Sequence, residues 1–155
     1  MRIINFGSLN LDYTYSVDHI VEPGETQDTK ERKIFCGGKG LNQSIALARA
    51  GMDVHHAGMI GEDGEMLVNL CRQENIHTHY IWKVAGPSGH TIIQVDETGQ
   101  NSIRSMAAPT GNFQKIISMK CWRILGRTTL CFCKMRLIWW IMSLRQQRKG
   151  RCGSC

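Results

Sequence analysis

The sequence predicts an α/β fold, with a parallel sheet wrapped by helices and a smaller, more exposed β-sheet attached to it. Two short apolar runs, Arg2 to Phe6 and Asp53 to Ile60, read as buried strands, and helical patterns occupy residues 41 to 50 and 64 to 74. A strand-helix-strand-helix order needs crossover connections, which set parallel strands side by side under helices. Other segments alternate with a two-residue period between glycine- and proline-containing turns, the pattern of strands exposed on one face. At 155 residues the chain has room for one domain with its own core, and nothing in its length calls for two.

Arg2 to Phe6 ends in Gly7, as suits a buried strand with a ligand approaching its carboxyl end. Asn10 and Asp12 follow. An amide and a carboxylate there are set to hydrogen-bond hydroxyl groups, and equally to cap a turn. Tyr13 to Ile20 and Thr26 to Phe35, divided by Pro23-Gly24, read as strands of the exposed sheet. Their expected partners are His77 to Val84, Gly89 to Asp96 and Gln100 to Ile103, separated by the turns Gly86-Pro87-Ser88-Gly89 and Glu97-Thr98-Gly99. In the second helix Met66, Leu67, Leu70 and Cys71 are expected along one buried face.

The stretch from Phe35 to Gly51 organises the rest. Gly37, Gly38 and Gly40 fall within four positions, where bare main chain lets a ligand approach closely, and a helical pattern follows at once. Leu41, Ile45 and Ala48 recur on one helix face, and Gly51 stands where a left-handed C-terminal cap belongs. Lys39 and Asn42 lie at the helix mouth.

The segment GGKGLNQSIALARAG resembles the first signature of the ribokinase-like sugar kinases, also called the phosphofructokinase-B family, and Gly7-Ser8-Leu9-Asn10-Leu11-Asp12 resembles that family's other N-terminal motif. The likeness runs to about Ile103. It implies that residues 1 to 103 are the start of a three-layer α/β/α fold, incomplete here. A small β-sheet lid from about 12 to 36 and 77 to 103 would close over a sugar, hinged at Gly37 and Gly38. It implies ATP-dependent phosphorylation of a primary hydroxyl on a small sugar, ribose being the nearest candidate, with magnesium as the metal of the nucleotide. Asn10, Asp12, Gly38, Lys39 and Asn42 match the sugar-contacting positions. No catalytic residue and no metal ligand is assigned within this chain, because the family's catalytic aspartate, anion hole and nucleotide pocket belong to its C-terminal half. The chain is therefore expected to be inactive as it stands and to hold ATP and magnesium poorly. Met66 departs from the pattern, standing where many members carry glycine.

Histidine offers a metal test. His55 and His56 are neighbours on opposite faces of a strand, whereas His77 and His79 would share one face if extended, and His19 and His90 stand apart. With no cysteine or carboxylate at ligand spacing nearby, His77 and His79 are expected on the lid surface without a metal.

The formal charge of +6 conceals two different halves. Residues 104 to 155 hold eleven of the 19 Lys and Arg and none of the 13 Asp and Glu, leaving residues 1 to 103 with eight bases against all the acids. Cys121, Cys131, Cys133, Cys152 and Cys155 also fall in the tail, without a zinc-module spacing. With Trp122, Trp139 and Trp140 such a tail offers a nucleic-acid arm. The displaced reading frame offers a better account. Taking the last base of each codon with the first two of the next forces Gly at Met106-Ala107, Glu at Met119-Lys120, Leu at Cys121-Trp122, Val at Trp139-Trp140 and Asp at Trp140-Ile141. Permitted codons then allow kinase-like text containing DYIDEVLADF and DDFVLLQNE. The tail is thus expected to be out of frame and disordered. No secretory leader is apparent, and the segment Leu130 to Leu144, interrupted by Lys134 and Arg136, is too short to span a bilayer. A cytoplasmic chain is expected, with a small sugar and, through open lid edges, a second copy of itself as partners, rather than a membrane or a nucleic acid.

Overall fold

The computed structural model describes residues 2–107 and the strand Thr129–Cys133. The core sheet consists of β1 (Arg2–Phe6), β4 (Asp53–Ile60), β5 (His77–Lys83) and β8 (Thr129–Cys133) in the order β5-β4-β1-β8, all parallel. Ile3, Ile4 and Phe6 of β1 and Val54, Ala57, Met59 and Ile60 of β4 are buried, as two central strands covered on both faces must be. Helix α1 (Lys39–Arg49) contributes Leu41 to the core, and helix α2 (Glu65–Gln73) contributes Leu67, Val68 and Cys71. Val68 takes the place expected of Met66, which faces solvent.

Both helices end in the same hydrogen-bonded motif. After α1, Gly51 sits at φ +82°, its N–H donating to the Ala48 carbonyl and that of Met52 to Leu47. After α2, Asn75 sits at φ +58°, donating to Arg72, while Ile76 donates to Cys71. These are paired Schellman caps, and the second pins buried Ile76 at the entrance to β5.

Placing His77 to Val84 in the lid is incorrect. The segment forms β5, and its partner is β4. A strand entered directly from a helix that itself follows a core strand returns parallel to that strand, and the two-residue alternation that suggested a lid equally suits a sheet edge. The second sheet, expected as the lid, holds only β3 (Glu31–Gly37), β2 (Asn10–Ser16), β6 (Gly89–Val95) and β7 (Asn101–Met106), in the order β3-β2-β6-β7. Within it β2 and β6 run parallel, and the outer pairs are antiparallel. Thr26–Lys30 lies outside the strands, in the connection from β2 to β3.

The expectation of a disordered tail fails at Thr129–Cys133, which pairs with β1 from Arg2↔Thr129 to Phe6↔Cys133. This run is apolar and β-prone, whatever its neighbours. The remaining tail expectations, including those for Trp122, Trp139, Trp140, Cys121, Cys152 and Cys155, lie outside the described residues.

Candidate functional site

The carboxyl end of β1, the start of β2, the end of β3 and the mouth of α1 meet at one junction. Gly7 and Gly40 bring their backbones so close that a Cβ on either would overlap the other's Cα. Gly38, the residue preceding α1, has φ +106°, which a side chain would strain, and a Cβ there would also meet the Ser8 carbonyl. The Leu41 N–H donates to that same carbonyl over 3.1 Å, tying the first helical turn to the loop after β1.

A buried polar network fixes this approach from below. Asn5 Nδ2 donates to the Gly40 carbonyl at 2.8 Å and to Ser44 Oγ at 2.9 Å. Ser44 Oγ lies 2.7 Å from His56 Nδ1, and His56 Nε2 lies 3.3 Å from the Gly7 carbonyl. A carbonyl only accepts, so Nε2 carries the imidazole proton and Nδ1 accepts from the Ser44 hydroxyl. Burial lowers the His56 pKa from 6.5 to about 4, with the Gly7 carbonyl opposing weakly, and the ring is neutral at pH 7. Sequence reasoning passed over Asn5 and Ser44, although an amide inside an apolar strand was itself a signal that a partner had to be found.

Asp12 stands above the junction on β2. Its neighbours across the lid are Phe35 on β3 and Thr91 on β6, and the Thr91 hydroxyl donates to Asp12 Oδ1. A Cβ on Gly37 would overlap the same carboxylate. The two-residue period puts Asn10 on the face shared by Asp12 and Thr91. Gly38, Lys39 and Asn42 come from the hinge and the first turn of α1, with Lys39 and Asn42 exposed. The five positions matched from sequence therefore come from one strand, β2, and from the mouth of α1. Thr91 is an addition that only the strand pairing reveals.

The turn before α2 closes against the loop before β6. Ser88 Oγ accepts from the Gly61 N–H at 2.9 Å, and the Ser88 N–H donates to Asp63 Oδ1 at 2.7 Å. Gly61 packs against the backbone of Gly86 to Ser88 and Gly64 against Ile60, so this turn is close-packed even with Met66 in the helix behind it.

The histidine expectation needs correcting. His77 is an edge residue of the core sheet rather than the lid, and it is grouped with His55 and the carboxylate of Asp53, all three ligand atoms lying within 4.8 Å of one another. The carboxylate was missed because it comes from a neighbouring strand 24 residues earlier in the chain.

The model for the pfkB family carbohydrate kinases matches residues 2–130. The chain belongs to that family. The match passes Ile103, where sequence reading had ended the likeness.

Among curated relatives, ribokinase from Haemophilus influenzae is 40% identical over 100 residues, which cover 63% of this chain and 33% of that protein. Ribokinase from Staphylococcus aureus is 38% identical over 106 residues, covering 66% and 35%. Among solved structures, ribokinase from Cryptococcus neoformans var. grubii in complex with ADP gives a TM-score of 0.65 at 36% identity, over 69% of this chain and 34% of that one. Arabidopsis thaliana ribokinase complexed with ribose and ATP gives 0.59 at 28% identity, over 68% and 35%. The chain thus spans about a third of the length of the relatives it matches.

Magnesium demands an octahedral shell of oxygens, including carboxylates and substrate phosphates. Among the described residues the one group of three metal-capable side chains, Asp53, His55 and His77, stands at the amino-terminal end of the strands, away from Asp12. No helix among the described residues is long and apolar enough to cross a membrane.

Proposed function

We propose that this chain is the sugar-recognising part of an ATP-dependent kinase for a small sugar, with ribose the first candidate. The observation that carries the proposal is the Asp12 carboxylate, steadied by Thr91, poised over the Gly37-Gly38 hinge and the mouth of α1. A carboxylate accepts hydrogen bonds from two vicinal hydroxyls at once, and a polyol offers such pairs. Asn10 and Asn42 would add amide donors and acceptors around it, and Lys39 a point charge. Backbone at Gly38 would approach the ring where no side chain intervenes.

Within such a site these residues orient the sugar and hold its reactive hydroxyl in place; they bring no base for its proton and no cradle for a transferred phosphoryl. The names of the relatives support ribose over other small sugars. The curated set also includes deoxyribokinases at 32% identity, so the pentose class is better supported than its 2-hydroxyl. Direct titration of the full chain with ribose and 2-deoxyribose, with Asp12→Asn as the control, tests the reading. Equal heats from wild type and the variant would refute it.

Exposed apolar residues favour a second role for the lid. Phe35, Ile103 and Met106 are 51, 56 and 62% exposed. We read this sheet as the surface through which two copies associate, and because Phe35 and Ile103 lie on the Asp12 face the contact would border the sugar site.

A further inference from the structure

We propose that Asp53, His55 and His77 form a binding site for a borderline divalent transition ion of the zinc class, clamping the amino-terminal ends of β4 and β5. His77 Nε2 lies 3.1 Å and His55 Nε2 lies 3.6 Å from Asp53 Oδ1. Ligand atoms about 2.0–2.1 Å from a tetrahedral zinc are about 3.4 Å apart, so both distances lie within a few tenths of an ångström of the bound geometry. The imidazole rings stack with centroids 4.2 Å apart and planes 17° from parallel, so both Nε2 atoms lie near the same carboxylate oxygen, and seating an ion in both ring planes requires the exposed His77 ring to turn out of the stack.

An irregularity in the sheet builds this arrangement. Ala57 pairs with Tyr80, a register that would set His55 opposite Thr78 and send His77 to the other face. The pairing slips by one residue between these points, and His55 meets His77 instead. Bulges re-aim side chains in this way, and here the slip is what completes the triad.

The donor set selects the ion. Two imidazole nitrogens and one carboxylate suit zinc, cobalt or nickel, whereas calcium and magnesium need more oxygens than are present. His77 and Asp53 are exposed, so coordination positions stay open to water, and Arg2 sits 3.8 Å from Asp53 Oδ2, the oxygen turned away from the histidines. His55 Nδ1 is buried without a hydrogen-bond partner among the described residues. A liganding histidine usually gives that proton to a second group, and its lack weakens a site by about 10–100-fold, which makes this a site of moderate affinity. The clamp sits at the opposite end of the strands from Gly7 and Asp12, so it ties the edge strand β5 to the sheet without entering the sugar site.

Seven cysteines compete for such ions, so the full chain is first alkylated under reducing conditions. Cys71, buried and with its thiol pushed up to about 11, holds little of the reactive thiolate. Cobalt(II) titration should then give visible d–d absorption that saturates at one ion per chain, and zinc should displace it and raise the melting temperature. His77→Ala and Asp53→Asn, both at exposed positions, should each weaken cobalt binding about tenfold or more and abolish the thermal shift. His90→Ala, outside the triad, should change neither. Absence of saturable cobalt binding, or binding untouched by both triad variants, would overturn the proposal.

Discussion

The hydroxyl of Thr91 donates to the carboxylate of Asp12 across two lid strands that run in parallel, joining residues 79 positions apart. The bond holds one carboxylate oxygen and leaves Oδ2 directed toward the Gly37 side of the hinge, where a Cβ would overlap it. Thr91→Val keeps the shape and removes the donor. We expect it to weaken ribose binding about tenfold, the worth of a hydrogen bond to a charged group, with little change in melting temperature. Isothermal titration of the variant checks this, and unchanged affinity would remove Thr91 from the site.

Glycine at the junction of β1, β3 and α1 is a steric requirement. Gly40→Ala would drive a methyl into the backbone of Gly7, and Gly37→Ala one into the Asp12 carboxylate. Gly40→Ala should destabilise the fold by about 3 kcal/mol or more, as overpacking against main chain does. Gly37→Ala should cost sugar binding first, because a side chain yields more readily than a backbone. Urea melts and ribose titrations of the two variants separate these effects.

Acid should weaken the hinge through His56. The unfolded chain binds a proton at this imidazole near pH 6.5, and the folded chain only near 4, because burial opposes the charge. Its contribution to stability is full above pH 6.5, falls as the pH drops through the window from 6.5 to about 4, and is constant below. Between pH 7 and 5 the loss is about 2 kcal/mol. Urea midpoints at the two pH values, measured with a chelator present, should show this slope in wild type and its loss in His56→Gln.

The lid should mediate self-association. By strand alternation Phe35 and Ile103 share the face of Asp12, while Ile34 and Ile92 occupy the other. Sedimentation of the wild-type chain should show a dimer, and Phe35→Glu with Ile103→Glu should shift it to monomer. Persistence of the dimer in the double variant would place the contact elsewhere.

Much of this was legible in the sequence. β1, β4 and α2 were found because an apolar run or a helical face survives any tertiary context, and Gly51 announced its cap. The misplacement of β5 has a physical cause: alternation reports one covered face and does not say which sheet covers it. Asn10, Asp12 and the hinge came from local motifs, whereas Thr91, Ser44 and the Asp53 carboxylate depend on pairings between distant strands and helices. A one-residue slip in pairing leaves no mark in composition at all.

The tail poses a question of origin. Acids vanish after residue 103, which predicts that the neighbouring reading frame continues the kinase text. β8 does not decide the matter: Thr129–Cys133 is apolar as given, and permitted codons allow the apolar run of DDFVLLQNE over the same positions in the displaced frame. Sequencing the gene across codon 103 and past the stop decides it. Early stop codons in the neighbouring frame would refute the displaced frame and return attention to the basic tail as a binding element.

The most direct test of the sugar-recognition account is calorimetric titration of the full chain with ribose, run beside Asp12→Asn and an assay for ATP-dependent sugar phosphate. Saturable ribose binding in wild type, lost in Asp12→Asn and unaccompanied by phosphate transfer above background, is the predicted result. Absence of ribose binding, or steady phosphorylation by this chain alone, would contradict it.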